Sequence, residues 1–246
     1  MRKNKYHILS TRSLDPLLIN EAKAHGIEIE KRDYISIQPR LSDKLKKKVG
    51  EVIRQSGVNV VFTSKNAMKI VGKYYLQQED DPDGNYVAPE WNIYSLEKVT
   101  FATVRQYFRK RQIKGVAPTA SLLADVILQN KQISSVVFFC GSKRRHELRE
   151  KLRKAGVRVK EIIVYDTLEA PSIASGKYAG ILFFSPSAVS SFFSKNSLPA
   201  TTVCFTIGNT TAEALKIYTD NKTIISGSAD TEAMMNTVIS YFDHIN

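Results

Sequence analysis

The stretch Ser135-Val-Val-Phe-Phe-Cys-Gly-Ser142 decides the fold. It is an unbroken apolar run that ends in two small residues, a pattern typical of a buried parallel strand followed by a turn. A parallel strand that is buried on both faces is apolar throughout and does not alternate with polar residues. Short β-type runs, most of them unbroken and apolar, predict nine strands, at residues 6–10, 27–29, 58–63, 98–102, 135–140, 157–165, 180–185, 203–207 and 223–225. Helical patterns follow nearly every run. This alternation predicts right-handed βαβ units and therefore an α/β fold with parallel sheets.

Three pairs of segments resemble each other in the same order along the chain. The pairs are 6–26 with 136–156, 61–68 with 182–189, and 119–127 with 231–239. We therefore expect two similar α/β lobes. The pattern fits a tandem division near residue 130. It fits equally an interleaved division, in which the two ends of the chain form one lobe and the middle forms the other.

The composition is that of a globular protein, since 43% of the 246 residues are hydrophobic and 24% are charged. No window approaches the roughly 20 apolar residues of a membrane span. The basic start at residues 1–10 is interpreted as a first strand, not as a signal peptide. We therefore expect a cytoplasmic protein without a membrane partner. The acidic segment between Gln77 and Trp91 is predicted to be an exposed loop.

The net charge of +12 favours an anionic partner. Residues 143–160 contribute much of it, with nine Lys or Arg against two Glu. Leu148 and Leu152 mark the apolar face of a helix, so many of these charges lie on its solvated side. The run contains no aromatic residue on which bases would stack, and we expect no nucleic-acid partner.

The residues that follow the apolar runs are small, hydroxylic or glycine. They are Ser10-Thr11-Arg12, Thr63-Ser64-Lys65-Asn66, Gly141-Ser142, Ser185-Pro186-Ser187 and Gly208-Asn209-Thr210-Thr211. Ligands of open parallel sheets bind beyond such strand ends. These residue types are also the usual N-caps of helices. Both interpretations can hold, because a capped helix start presents N–H groups and a positive dipole end to a carboxylate or phosphate.

Several catalytic classes lack their signatures. Neither of the glycine-rich nucleotide motifs and no nucleophile elbow occurs. The four histidines are scattered, and Cys140 and Cys204 lack zinc spacing and are predicted to be buried small hydrophobes. We therefore expect neither metal nor cofactor. An enzyme with these residues would act by positioning its substrate and by electrostatics.

An ordered set of motifs spans nearly the whole chain. It comprises Phe62-Thr-Ser-Lys-Asn-Ala67, Phe139-Cys-Gly-Ser-Lys-Arg-Arg-His-Glu-Leu148, Leu152-Arg-Lys-Ala-Gly156, Val164-Tyr-Asp-Thr167, Phe183-Phe-Ser-Pro-Ser-Ala-Val189, Ile207-Gly-Asn-Thr-Thr-Ala212 and Thr231-Glu-Ala233. The set resembles the motifs of the uroporphyrinogen-III synthase family. The resemblance implies two flavodoxin-like lobes with parallel sheets, joined by a two-stranded antiparallel linker. Lobe one would be 1–35 plus 170–246, lobe two 37–166, and the linkers would lie near 34–38 and 164–169.

The resemblance also implies a reaction. Hydroxymethylbilane loses water, and its last ring is inverted through a spiro intermediate as the macrocycle closes. A monomer that binds this polycarboxylate without a cofactor is expected. Tyr165 would protonate the leaving hydroxyl, and Thr231 would hold a carboxylate or the leaving water, unless it is a helix N-cap. Substrate would bind at Thr11, Arg12, Thr63, Ser64, Asn66, Gly141, Ser142, Ser185, Ser187, Ala188, Gly208, Thr210 and Thr211.

One motif departs from the family pattern. The glycine-containing turn of lobe two is assigned to Thr103-Val-Arg-Gln106, where Val104 replaces the glycine. This departure supports an alternative, a non-catalytic tetrapyrrole-binding or regulatory protein of the same fold. A nucleic-acid-binding module and a periplasmic-type receptor for a small anion are further alternatives.

Overall fold

A computed structural model describes residues 5–76 and 88–245. Their strands are β1 (Tyr6–Ser10), β2 (Ile27–Lys31), β3 (Ile35–Pro39), β4 (Asn59–Phe62), β5 (Asn92–Leu96), β6 (Ile113–Ala117), β7 (Ser135–Gly141), β8 (Arg158–Glu169), β9 (Gly180–Phe183), β10 (Val203–Thr206) and β11 (Thr223–Ile225). Most of the segment predicted as an exposed loop, residues 77–87, lies outside the described residues.

The helices follow the strands as expected for an α/β fold. They are α1 (Pro16–Ala24), α2 (Asp43–Ile53), α3 (Lys65–Val71), α4 (Val99–Val104), α5 (Ala120–Gln129), α6 (Glu147–Lys154), α7 (Pro186–Phe193), α8 (Asn209–Leu215) and α9 (Thr231–His244). A π-helical turn at Gly72–Leu76 continues α3, and a 3-10 turn at Lys110–Gln112 precedes β6. In the part of the chain that the structure describes, no helix combines the length and the apolar character needed to cross a bilayer.

Met1–Ser36 and Leu168–Asn246 form one compact unit, called unit 1. Its sheet has the order β11-β10-β9-β1-β2, and every neighbouring pair is parallel. Counted along the unit, this order is 2-1-3-4-5, as in flavodoxin. Both faces are covered, since Ile8 packs in a core with α9, whereas Leu9 packs on the other face with α7.

Ile37–Thr167 form the second compact unit, unit 2. Its sheet has the order β3-β8-β7-β4-β5-β6, and the five strands from β8 to β6 are parallel. Two parallel strands lie on each side of β4. The chain adds β5 and then β6 on one side of β4, and it then crosses to the other side, where it adds β7 and β8. Counted along the unit, the order is 3-2-1-4-5. When β7 is matched to β1 and β4 to β9, as the internal repeat matches them, the order becomes the 2-1-3-4-5 of unit 1, with the chain entering the sheet at a different strand.

β3 and the end of β8 are paired at the edge of this sheet. The N–H of Arg40 donates to the carbonyl of Val164 at 2.9 Å, and the N–H of Ala170 donates to that of Tyr34 at 3.0 Å. Residue numbers rise from 34 to 40 along one segment, while those of the hydrogen-bond partners fall from 170 to 164 along the other. The two segments therefore run antiparallel. The division between the two compact units falls inside these strands.

Eight of the nine predicted strands are present. The unbroken apolar runs among them, in β4, β7, β9 and β10, are buried. The strand predicted at 98–102 is wrong, because these residues belong to α4 and the turn before it. Their β-branched side chains favour a strand locally. In the structure Thr100, Thr103 and Val104 are the buried residues of α4, a spacing that fits one face of a helix. Tertiary packing therefore overrides the local preference.

Val104 lies at the end of α4 and is fully buried in the core of unit 2. It does not occupy a strand-to-helix turn, so assigning the degraded glycine turn to 103–106 is wrong. The turn after β5 is formed instead by Glu97 and Lys98. The two cysteines are both free and buried, as predicted.

Candidate functional site

The fifteen predicted site residues lie at the carboxyl edges of the two sheets, because the strands that precede them in each sheet are parallel. In unit 1 this edge carries Thr11, Arg12, Ser185, Ser187, Ala188, Gly208, Thr210, Thr211 and Thr231. In unit 2 the edge carries Thr63, Ser64, Asn66, Gly141, Ser142 and Tyr165. Each edge is described by itself below.

In unit 1, Arg12 and Thr231 are in direct contact. A guanidinium N–H of Arg12 donates to the Oγ1 of Thr231. The guanidinium also stacks over the ring of Phe184, with 4.2 Å between its carbon and the ring centroid. Burial lowers the pKa of the Arg12 guanidinium from its ordinary value. The structure therefore holds one cation, anchored on both sides, beside the start of α9.

Thr231 is the first residue of α9 and not its N-cap, so the N-cap alternative is wrong. The cap is Asp230, whose carboxylate accepts the N–H of Ala233 at 2.9 Å. Because the hydroxyl of Thr231 accepts from Arg12, its own proton remains able to donate to a ligand.

Two other hydroxyl groups at the carboxyl edge of unit 1 form hydrogen bonds with the protein backbone. Thr11 is buried, and its hydroxyl donates to the carbonyl of Leu182 at 2.7 Å. Ser185 caps α7 by accepting the N–H of Ala188 at 3.2 Å, which confirms the capping interpretation there. Thr211 is buried, while Thr210 is exposed. Their hydroxyl groups therefore differ in how readily a ligand reaches them.

Gly208 precedes α8 and leaves an open surface. Its carbonyl accepts the N–H groups of Thr211 and Ala212, at 3.0 and 3.1 Å. A Cβ added at this position would meet no atom within 4 Å. The glycine is therefore not required by packing within the chain, and it leaves room for a ligand to approach the backbone.

In unit 2, Tyr165 and Ser64 form a hydrogen bond of 3.0 Å between their hydroxyl oxygens. Ser64 also caps α3, since its oxygen accepts the N–H of Asn66 at 3.2 Å. Burial raises the pKa of the Tyr165 phenol, and the hydrogen bond to Ser64 offsets part of that increase. The phenol is therefore protonated at neutral pH and is a better hydrogen-bond donor than acid.

The Tyr165 ring packs directly against the backbone of Gly141. A Cβ at this position would be 2.4 Å from the ring carbon that bears the hydroxyl. The neighbouring Ser142 accepts the N–H of Thr167 through its hydroxyl, at 3.4 Å, and its own N–H donates to the carbonyl of Tyr165, at 3.0 Å. Gly141 and Ser142 thus hold Tyr165 in place, Gly141 by contact with the ring and Ser142 by hydrogen bonds to the backbone of residues 165 and 167. Thr63 and Asn66 are half-buried nearby on the chain.

A salt bridge that the sequence does not predict lies beside Tyr165. Asp166 accepts two hydrogen bonds of 2.8 Å from the guanidinium of Arg40. The contact lowers the pKa of the Asp166 carboxyl. Asp166 lies on β8 and Arg40 directly follows β3, so only knowledge of the pairing of these strands would have indicated the contact.

The basic run after β7 is partly neutralised. Glu161 on β8 accepts two hydrogen bonds of 2.7 Å from Arg144 and one of 3.2 Å from Arg149. Lys151 pairs with Asp125 at 2.6 Å. Among residues 5–76 and 88–245, no group of three or more His, Cys, Asp or Glu is arranged to hold a metal ion.

Comparisons with known proteins agree with this architecture. The family model described as uroporphyrinogen-III synthase HemD matches residues 18–236, which is most of the chain. The crystal structure of uroporphyrinogen-III synthetase from Helicobacter pylori is similar with a TM-score of 0.65 at 17% identity, covering 98% of this chain and 100% of that one. None of the curated proteins matches the chain by sequence.

A second solved structure, a mutant uroporphyrinogen III synthase from Thermus thermophilus, has a TM-score of 0.59 at 12% identity. The alignment covers 98% of this chain and 100% of that one. At such identities the two structures are evidence for a shared α/β fold with parallel sheets. The family model carries the stronger inference, since it rests on the sequence itself.

Proposed function

The chain belongs to the uroporphyrinogen-III synthase family, and from that membership we propose how it acts as a lyase of tetrapyrrole biosynthesis. The reaction closes hydroxymethylbilane into uroporphyrinogen III with loss of water and inversion of ring D. The family model over residues 18–236 is the observation that carries this function. The residues at the two carboxyl edges suggest how the chain performs it.

In unit 1, Arg12 and Thr231 hold one carboxylate of the substrate. The contact between them and the stacking on Phe184 fix the guanidinium before substrate arrives, so less side-chain entropy is lost on binding. Arg12 retains further N–H donors, and Thr231 retains its hydroxyl proton. The open backbone at Gly208, with Ser187 and Thr210 beside the helix starts, supplies additional donors for acetate and propionate groups.

In unit 2, Tyr165 assists departure of the terminal hydroxyl. The carbon–oxygen bond breaks, and the hydroxide leaves together with the N–H proton of the same pyrrole as water. The resulting azafulvene attacks the substituted carbon of ring D to give the spiro intermediate. The buried phenol is a weak acid, so it stabilises the leaving oxygen by hydrogen bonding as negative charge develops on it. Ser64 orients the phenol through their 3.0 Å contact.

We also propose that the two compact units are the two lobes implied by the family, 1–35 with 170–246 and 37–166. β3 and the end of β8 would be the linkers between them. The protein works as a cytoplasmic monomer without a nucleic-acid partner or a cofactor. The helix starts after β9 and β10 carry no charged residue in Ser185-Pro-Ser-Ala188 and Gly208-Asn-Thr-Thr211. Together with the single anchored Arg12 of unit 1 they support a polycarboxylate ligand in preference to a polymer with many phosphates.

The alternative of a non-catalytic relative rests on Val104 in a degraded turn. Because Val104 is a core residue of α4, that alternative loses its support.

Product analysis tests the proposed function. The purified protein is incubated with freshly prepared hydroxymethylbilane, the products are oxidised to porphyrins, and isomers I and III are separated. Isomer III is expected to dominate with native protein, whereas heat-inactivated protein should give the isomer I of spontaneous closure. If native protein also gives isomer I alone, the proposed function is wrong.

A further inference from the structure

The pairing of β7 with β8 is interrupted by one extra residue on β8, directly before Tyr165. Cys140 pairs with Ile163. The next residue of β7, Gly141, pairs with Tyr165, so Val164 is passed over. Such a β-bulge is rare between parallel strands, and bulges next to active sites re-aim a side chain. The side chain that follows this bulge is the one to which the proposed function gives a role in the reaction.

The side chains of β8 alternate between the two faces of the sheet until they reach the bulge. Ile162 and Val164 pack in the same core as α3, whereas Ile163 packs against the core of the other face, which contains α5 and α6. Regular alternation would place Tyr165 on the face of Ile163. Tyr165 packs instead in the same core as Val164. The bulge therefore turns Tyr165 from the face of α5 and α6 to the face of α3.

The face of α3 is where the phenol has its hydrogen-bond partner. The hydroxyl of Ser64, which caps α3, lies 3.0 Å from the phenol oxygen of Tyr165. On the other face the ring would meet the core that Leu148 and Leu152 of α6 help to fill. The contact between the two hydroxyl groups thus depends on the bulge.

Backbone hydrogen bonds hold the bulge on both sides of β8. The carbonyl of Val164 accepts the N–H of Arg40 at 2.9 Å, on the side of β3. The carbonyl of Tyr165 accepts the N–H of Ser142 at 3.0 Å, on the side of β7. The extra residue is therefore fixed at one place along the strand.

The matching strands of unit 1 show that the fold itself does not require the bulge. The internal repeat matches β7 to β1, so that β8 corresponds to β2. β1 and β2 keep one register along their whole length, from Tyr6 with Ile27 to Ser10 with Lys31. The bulge is therefore a particular feature of unit 2, in the extension of β8 that carries Tyr165.

We propose that the bulge at Val164 positions Tyr165 for the reaction by turning its phenol towards Ser64 and the start of α3. This inference rests on the proposed function and adds a positioning residue to it. Val164 is fully buried and acts through Tyr165. By taking the extra place in β8, it lets the tyrosine stand opposite Gly141 on the α3 face.

Adding one residue to β7 tests the proposal, because it supplies a partner for Val164 and removes the bulge. In this β7-insertion variant, a glycine between Cys140 and Gly141 turns Tyr165 to the other face. We expect kcat for isomer III to fall about tenfold, as expected for Tyr165→Phe. Adding Tyr165→Phe to the β7-insertion variant should cause no further loss, since two changes that act through one residue are not additive.

The matched control is a glycine inserted between Arg145 and His146. It lengthens the same connection between β7 and α6 by one residue, but beyond the paired residues. Its kcat is expected to equal that of the wild type. An equal loss in both insertion variants would show general damage to the connection and would overturn the proposal.

Moving the tyrosine by one place should rescue the β7-insertion variant. Without the bulge, residue 164 faces α3 and stands opposite the inserted glycine, which leaves room for the ring as Gly141 does in the wild type. Val164→Tyr combined with Tyr165→Val in the β7-insertion variant is therefore expected to recover most of kcat. Damage to the fold alone would not be repaired by this exchange, so the absence of rescue in a cooperatively melting protein would count against the proposal.

The remaining outcomes are also decisive. If the β7-insertion variant does not melt cooperatively by circular dichroism, deletion of Val164 replaces it, because the deletion leaves Tyr165 opposite Gly141. The deletion variant is expected to keep most of its kcat, and loss of isomer III formation there would overturn the proposal. If the wild type forms isomer III and the β7-insertion variant keeps full kcat, the positioning role is excluded while the function stands. Isomer I alone from the wild type would instead be failure of the proposed function.

Discussion

At the scale of single residues, the packing of Gly141 against Tyr165 makes a strong prediction. A methyl group at residue 141 would lie 2.4 Å from the tyrosine ring, so Gly141→Ala must displace the ring from its contact with Ser64. We expect a loss of about 1–3 kcal/mol in the free energy of unfolding and a clear loss of isomer III formation. Denaturant titration and the isomer assay measure the two effects.

Gly208→Ala is the matched control for stability, since a Cβ there meets no atom within 4 Å. Its free energy of unfolding should stay within about 0.5 kcal/mol of the wild type. Equal destabilisation of the two variants would mean that the contact between Gly141 and Tyr165 does not exist in solution.

Tyr165→Phe removes the hydroxyl and leaves the ring in place. The raised pKa of the phenol makes it an assisting donor, so kcat for isomer III should fall about tenfold, less than the roughly 10²–10⁴-fold typical of an essential general acid. Tyr178→Phe is the control, because that hydroxyl donates to Glu30 in unit 1 and has no role in the proposed chemistry. An unchanged kcat in Tyr165→Phe would remove the proposed role.

Sequence patterns locate residues well where the signal is local. Ser64 and Ser185 are predictable as caps because a hydroxyl after an apolar run is a local pattern, and both cap helices. The contact of Arg12 with Thr231 joins residues 219 positions apart, and nothing in the residue pattern predicts it. Whether these residues bind substrate stays a prediction.

At the scale of elements, β8 neutralises the basic segment that leads into α6. The Glu161 side chain is 15% exposed and accepts from both Arg144 and Arg149. We expect Glu161→Gln to lower the free energy of unfolding by about 1.5–3 kcal/mol at neutral pH. Glu150→Gln, on the exposed face of α6, should change it by less than about 0.5 kcal/mol.

The effect of Glu161 also has a definite dependence on pH. The hydrogen bonds from Arg144 hold the pKa of this carboxyl below its ordinary value in the folded protein. Its stabilisation is therefore present above the pKa of the unfolded state and is lost as the pH falls through the lower, folded pKa. Unfolding measured from neutral to acidic pH should show the wild type and Glu161→Gln converging. A constant difference would contradict this account.

Two strands of unit 2 could not be predicted for a physical reason. In β5, Asn92 and Ser95 interrupt the apolar run, and in β6 Lys114 and Gly115 do the same. β6 forms the edge of the sheet and is mostly half-buried, so polar residues are tolerated there. β5 lies between β4 and β6, and its Ser95 is fully buried although it is polar. Patterns of unbroken hydrophobicity identify the uninterrupted strands and miss such interrupted ones.

At the scale of the whole molecule, the two units differ in how the chain supplies them. Unit 2 is the continuous segment Ile37–Thr167, whereas unit 1 needs both ends of the chain. We expect residues 37–167, expressed alone, to unfold in one cooperative thermal transition followed by circular dichroism. Residues 168–246 alone should remain unfolded, because they lack β1, the strand between β9 and β2. A folded 168–246 fragment would contradict the importance of β1.

The pairing of β1 with β9, Ile8 with Gly180, has a consequence for how the protein is made. A ribosome that adds about 5–20 residues per second completes β9 roughly 10–30 s after β1 has emerged. During that time unit 2 can fold, while the apolar β1 waits without the neighbour that will bury it. The nascent amino-terminal segment is therefore the part of the chain most in need of a chaperone, and slow translation should harm this protein more than one with contiguous lobes.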